Sequence, residues 1–149
     1  MPVSDWYTCD LTARYAETDR MGVIYHANYL TWFEIGRTEM IRELGYPYRK
    51  IEELGLLLPV VDLDMQFIKP AYYDDRIRIS TRITDFTNIR LNFEVRIERL
   101  DEETFQAAEL LVTGRTRHVW LNNRWKSARI DREAPELYAL IKRACHLEE

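Results

Sequence analysis

The sequence is short of the residues on which small or specialised architectures depend. Cysteine occurs twice, at Cys9 and Cys145, far apart and without a CxxC spacing. That excludes a disulfide-stapled scaffold and suits a reducing compartment. Histidine occurs three times, at 26, 118 and 146, with no ligand spacing, so no metal is expected. Five glycines and five prolines, scattered, form no linker or low-complexity tract, and residues 1–149 read as one domain. No apolar run approaches the ~20 residues of a membrane span. The opening MPVSDWYTCD lacks the basic start and apolar stretch of a signal peptide. Cytoplasmic localisation without membrane insertion is therefore expected. Basic residues number 21 against 25 acidic ones, interspersed, for a net charge of −4. With no basic stripe, nucleic acid is not an expected partner. The serines carry no GxSxG elbow, and no phosphate-loop motif occurs.

What is present is organised around Arg14–Leu44, RYAETDRMGVIYHANYLTWFEIGRTEMIREL. Trp6 to Tyr15 is rich in β-favouring residues and predicts a first strand. After a polar turn, Ala27 to Leu44 predicts a helix of about 27 Å at 1.5 Å per residue. Tyr29, Phe33, Gly36, Met40 and Leu44 form its stripe, which Leu30, Trp32, Ile35 and Ile41 widen until little polar face remains. Such a helix is expected to be buried on most sides. Gly36 inside it costs ~1 kcal/mol relative to alanine, which close backbone packing would explain. Gly45 and Pro47 end the helix, and Tyr48 to Leu54 suits a short second one.

From there the period changes from 3.6 to 2. Val61–Phe67, Arg76–Ile83 and Ile89–Glu98 each alternate apolar with polar residues, as antiparallel strands with one buried face do. Asp101-Glu102-Glu103 reads as a hairpin tip. The last strand, Phe105 to Leu121, changes its alternation midway, and Gly114 is the expected bulge or kink. Asp131 and Pro135 then open a C-terminal helix. One early helix followed by four strands predicts an α+β domain.

The turn ahead of the long helix is also a chemical arrangement. The first N–H groups of a helix lack intrahelical partners and sit at the positive end of its dipole. They can hold an oxyanion, and Asp19 stands beside them as a base or nucleophile. Aspartate is equally an ordinary cap, so both readings stand on the pattern. Glu34 suits an ion pair with Arg37 at i+3, or a polar end to a pocket. Leu57, Leu58, Val60 and Val61 could line such a pocket or simply form a strand. Arg115 and Arg117 could be solvated or face phosphates.

The order of elements resembles the hotdog fold, a curved antiparallel sheet wrapped around a long central helix, here with a C-terminal helix added. The run Tyr15-x-Glu17-Thr18-Asp19-x-x-Gly22-Val23-Ile24-Tyr25-His26-x-Asn28-Tyr29 is similar to the active-site signature of the 4-hydroxybenzoyl-CoA thioesterase family. Phe33-Glu34-x-x-Arg37-Thr38-Glu39 and Lys69-Pro70-Ala71-x-x-Asp74-Asp75 extend the likeness, which looks closest to the Tol–Pal-associated acyl-CoA thioesterase branch. The resemblance implies that Asp19 is the catalytic carboxylate and that the His26 N–H polarises the thioester carbonyl. It implies that Gly22, in the run with Val23 and Tyr25, lets the substrate approach the turn. It places Tyr15 and the His26 side chain around the acid, and Arg90 at the CoA phosphates. The family's several basic residues at that last position are reduced here to Arg90. The implied substrate is an acyl-CoA, or an acyl-carrier-protein thioester, with CoA as part of the substrate and no cofactor. The implied assembly is a homodimer or homotetramer. A non-catalytic acyl-binding or interaction module is the alternative from another class.

Overall fold

The structure, a computed structural model, describes residues 3–147. Five strands form one antiparallel sheet: β1 Tyr7–Thr12, β2 Val60–Phe67, β3 Arg76–Phe86, β4 Arg90–Leu100 and β5 Ala107–Val119. Their order across the sheet is β1-β3-β4-β5-β2. Helix α1, Ala27–Glu43, lies against β1, β3 and β4. This is the hotdog architecture and an α+β fold, as the sequence led us to expect. Helix α2 spans Tyr48–Glu53. The expected C-terminal helix is two pieces, α3 Ile130–Glu133 and α4 Pro135–Ala144, separated at Ala134 (φ −144°, ψ 67°), because Pro135 restricts the residue before it.

Helix α1 joins two apolar clusters. Its first half places Tyr29, Trp32 and Phe33 against Ile77, Ile79 and Val95 of the sheet. Its second half places Met40 and Ile41 with Ile83, Phe93 and Trp120, where α4 adds Leu137 and Ile141. Gly36 lies at the crossing point. A side chain there would strike Thr81 and would lie 2.8 Å from the Ile79 methyl, so close packing is indeed what the glycine permits. Gly45 stops the helix with φ 102°.

Several expectations are corrected. The first strand ends at Thr12, and Tyr15–Glu17 is a 3-10 turn, because the Glu17 carboxylate accepts the Arg14 N–H at 2.8 Å and folds the chain back. Helix α1 is not buried on most sides: Leu30, Thr31, Glu34 and Ile35 are exposed. No Glu34–Arg37 ion pair forms among the described residues; Arg37 is instead partly buried, which pulls its pKa below the usual value. Strand β2 has no well-buried face, since Leu63 is 39% and Phe67 57% exposed. The reason is its place at the sheet edge, where α1 covers only part of it: Met65 packs against the cluster of Tyr29, Trp32 and Phe33, and the Phe67 ring lies 5.8 Å from that of Tyr29. β5 is irregular at two places, Leu111, skipped between the pairs Ile97–Val112 and Glu98–Leu110, and Ala108, skipped between Arg99–Glu109 and Leu100–Ala107, whereas Gly114 pairs regularly with Val95 and Met65. Leu111 and Val112 are consequently both buried.

Candidate active site

Between β1 and α1 the chain makes a tight turn closed by its own backbone. The Asp19 N–H donates to the Val23 carbonyl at 2.9 Å and the Gly22 N–H to the Asp19 carbonyl at 3.1 Å. Gly22 adopts φ 80°, a left-handed conformation that costs glycine little. Asp19 Oδ1 accepts the N–H of Met21 at 2.8 Å and, more weakly, that of Val23 at 3.4 Å. The second carboxylate oxygen has no hydrogen-bond partner among the described residues. Asp19 therefore braces its turn through one oxygen and offers the other. It does not cap α1.

Helix α1 starts without a capping side chain, with His26 at the position where one would stand. The Tyr25 N–H is taken by the Glu17 carbonyl at 2.8 Å, and that of Asn28 by the Tyr25 carbonyl at 2.9 Å. Between them, the N–H groups of His26 and Ala27 have no acceptor among the described residues. Bare N–H groups at a helix start are a ready site for negative charge.

Asp19 and His26 line the same cleft, of about 280 Å³, with Val23, Tyr29, Phe67 and Pro70 among its other walls. The His26 ring lies 4.4 Å from the Tyr25 ring and edge-on to Phe67 at 6.4 Å. Tyr29 is 3% exposed, and burial raises its phenol above the ordinary value of 10. Its hydroxyl accepts the Ala71 N–H at 3.1 Å, while the Ala71 carbonyl accepts the Ile24 N–H at 2.9 Å. One residue thus ties the β2–β3 loop to both the turn and the helix.

Other expected site residues lie elsewhere. Tyr15 is 75% exposed and stacks edge-on with Tyr73 at 5.7 Å, outside the cleft wall. Tyr25 is exposed against His26. Arg90 stands at the first residue of β4, whereas Arg99 near the strand's other end bonds the Pro70 carbonyl at the cleft. Nine residues of strand separate the two by about 30 Å at ~3.3 Å per residue. Of the residues suggested as pocket lining, Leu57, Leu58, Val60 and Val61 do not line this cleft. Arg117 pairs with Asp62 at 3.3 Å. Among the described residues no three His, Cys, Asp or Glu side chains stand together as a metal site.

Sequence reading gave no role to Glu17, which is 6% exposed. Its Oε2 accepts the Trp32 Nε1–H at 2.9 Å, its Oε1 accepts the Arg14 N–H, and Asn28 Nδ2 donates to its carbonyl at 2.8 Å. An acid and a tryptophan fifteen residues apart carry no periodic signal. Lys69, in the cleft wall, pairs with Glu109 at 3.2 Å, and was legible only as part of a motif.

The long helix packed on a curved sheet, with an acid and free N–H groups at its start, marks a class: the chain belongs to the thioesterase-like superfamily, whose family model matches residues 13–140. It is a thioester hydrolase of the hotdog class. Among individual relatives, YneP of Bacillus subtilis, provisionally named an acyl-CoA thioesterase, is 32% identical over 136 residues, covering 91% of this chain and 94% of that protein. The Escherichia coli acyl-CoA thioester hydrolase YbgC is 33% identical over 98 residues, covering 66% of this chain and 73% of its own. The solved DHNA-CoA thioesterase of Staphylococcus aureus superposes with a TM-score of 0.87 at 33% identity, covering 95% of this chain and 92% of that one.

Proposed function

We propose that the protein hydrolyses acyl-CoA thioesters to a free acid and CoA, with Asp19 as the catalytic base or nucleophile and the N–H of His26 as the oxyanion donor. The observation that carries this reading is the pairing in one cleft of an unengaged Asp19 oxygen with an uncapped helix start. The thioester carbonyl oxygen would accept from the His26 N–H as negative charge develops on it, a contribution of about 3 kcal/mol for a well-placed donor. Asp19 either takes a proton from the attacking water or itself attacks the carbonyl carbon. In the second route the C–S bond breaks to release CoA thiolate, and water then cleaves the mixed anhydride. Gly22 and Val23 shape the turn against which the thioester lies, and the chemistry asks for no cofactor.

The cleft of one chain falls just below the ~300–1,000 Å³ usual for small-molecule sites, and an acyl-CoA is long. This supports a homodimer in which two β2 edges pair. Val61 and Phe67 are exposed along that edge, and an unpaired strand is a surface that proteins cover. Two-fold pairing would set the Val60 end of one β2 beside the Phe67 end of the other, bringing Arg90 of one chain toward its neighbour's cleft. In that arrangement Arg90 would meet CoA phosphate and Tyr15 and Tyr25 the rim; two dimers would give the tetramer. Free Cys9 and Cys145 are in keeping with a cytoplasmic setting. The Tol–Pal association rests on motif likeness.

An acyl-carrier-protein donor is the second reading: Arg117 is engaged by Asp62 and Arg129 by Asp131 at 2.7 Å, whereas Arg115, Arg124 and Lys126 have no carboxylate partner among the described residues and stay available to an acidic surface. A plain acyl-binding module would have no use for the exposed carboxylate oxygen.

The test is thiol release from short alkyl, long alkyl and aryl acyl-CoAs by the wild type and Asp19→Asn. The wild type turns over at least one class, and the folded variant falls by ~100-fold or more, about 3 kcal/mol in barrier. Equal activity in the variant would leave Asp19 as a turn brace and defeat the reading.

A further inference from the structure

Glu17 is a carboxylate held out of water, and every one of its acceptors is spent on a different part of the site. Oε1 takes the N–H of Arg14, whose guanidinium Nε lies 3.5 Å away, and so closes the 3-10 turn that leads into Asp19. Oε2 takes the indole N–H of Trp32, one and a half turns inside α1 and fully buried. The backbone carbonyl takes the Tyr25 N–H and the Asn28 side chain, on either side of the helix start. Burying a carboxylate is costly unless hydrogen bonds replace its water. Here the donors come from the segment before the turn and the helix after it, so the acid can be satisfied only when both are in register.

We propose that Glu17 is a positioning residue for the thioester reaction, joining the Asp19 turn to α1 so that the Tyr25 N–H is consumed internally and the His26 N–H is presented to the cleft. The inference rests on the proposed function, and it goes further: the oxyanion donor is set by a residue that never touches substrate, its carbonyl taking the Tyr25 N–H and its carboxylate holding that carbonyl in place between Arg14 and Trp32. Two donors converge on this carboxylate, and a glutamine must turn its own NH₂ against one of them. Glu17→Gln therefore displaces either the Arg14 turn or Trp32. Trp32→Phe removes one of the opposing donors and lets the glutamine settle with its carbonyl toward Arg14.

The experiment compares wild type, Glu17→Gln, Trp32→Phe and the double variant in turnover of the best acyl-CoA and in the amide ¹H–¹⁵N shift of His26. Glu17→Gln is expected to lower kcat by ~10-fold or more with KM changed by less than ~3-fold, since the interaction lost is one made in the transition state. Its His26 amide signal moves, and the double variant recovers toward Trp32→Phe in both readouts. A Glu17→Gln protein that melts earlier, yet shows wild-type kcat when folded and an unmoved His26 amide, would reduce Glu17 to a stabilising residue. If the wild type turned over no thioester, the reading of the reaction would fall. The His26 shift and its recovery in the double variant would still decide whether Glu17 sets the helix start.

Discussion

A β-carbon added to Gly114 would lie 2.6 Å from Cε2 of Phe33 and equally close to the carbonyl oxygen of Asp64. The middle of β5 thus has the α1 aromatic ring on it and the β2 backbone beside it. Neither neighbour is the loose end of a flexible chain. Gly114→Ala should cost about 1–3 kcal/mol, the usual penalty for overpacking a filled core. Urea denaturation of the purified variant checks this, and a midpoint equal to that of the wild type would mean that α1 lifts off β5 freely.

Arg99 is the brace of the loop that walls the cleft. Its guanidinium bonds Asp75 at 2.9 Å, the Pro70 carbonyl at 2.6 Å and Glu109 at 3.0 Å, with its side chain 19% exposed. Arg99→Met leaves the Pro70 carbonyl without this donor and Asp75 and Glu109 with only the Tyr72 N–H and Lys69, and should destabilise by ~1–3 kcal/mol. Because Lys69 and Pro70 form the cleft wall, KM for acyl-CoA should also rise. A variant with lowered stability and unchanged KM would show that the wall holds its shape without Arg99.

His118 should make stability depend on acid. Burial, with Arg37 nearby, lowers its pKa from 6.5 to about 4. Nδ1 lies 3.2 Å from the Leu58 carbonyl and Nε2 2.9 Å from the Thr116 hydroxyl, contacts that a neutral ring donating from Nδ1 satisfies. Below pH 6.5 the unfolded chain binds a proton that the folded ring refuses until about pH 4. The stabilisation is complete above 6.5 and is lost as pH falls through that window, up to ~3 kcal/mol. Denaturation between pH 7 and pH 4 should show this slope, and His118→Gln should flatten it. Parallel slopes in the two proteins would assign the acid sensitivity to carboxylates instead.

The exposed β2 edge predicts assembly. Leu63→Lys places a charge on the strand that the proposed dimer would cover, and light scattering behind a sizing column should show the wild-type assembly shift toward monomer. Because Arg90 would then no longer reach a neighbour's cleft, acyl-CoA turnover should fall with it. An active monomeric variant would place the whole site within one chain.

Much of this protein is local and was legible without a structure. The change of period from 3.6 to 2 marks α1 and the strands β2 to β4, because side-chain spacing is set by backbone geometry within each element. The turn and the helix behind it could be read likewise, since glycine, aspartate and an uncapped helix start act over a few residues. The motif likeness added the hotdog fold and the thioesterase class, which the comparisons bear out. Tertiary structure decided what depends on distant neighbours. Alternation in β2 promised a buried face, yet burial requires a partner, and the strand order leaves β2 at the edge, where α1 covers only Met65 and part of Phe67. The register breaks of β5 fell at Leu111 and Ala108, not at Gly114, whose lack of a side chain answers to Phe33 from another element. Glu17 was one acid among many until Trp32 met it, and Arg90 proved to be a strand's length from the cleft of its own chain. Sequence periodicity reports the shape of each element; which side chains share a site depends on how the elements pack.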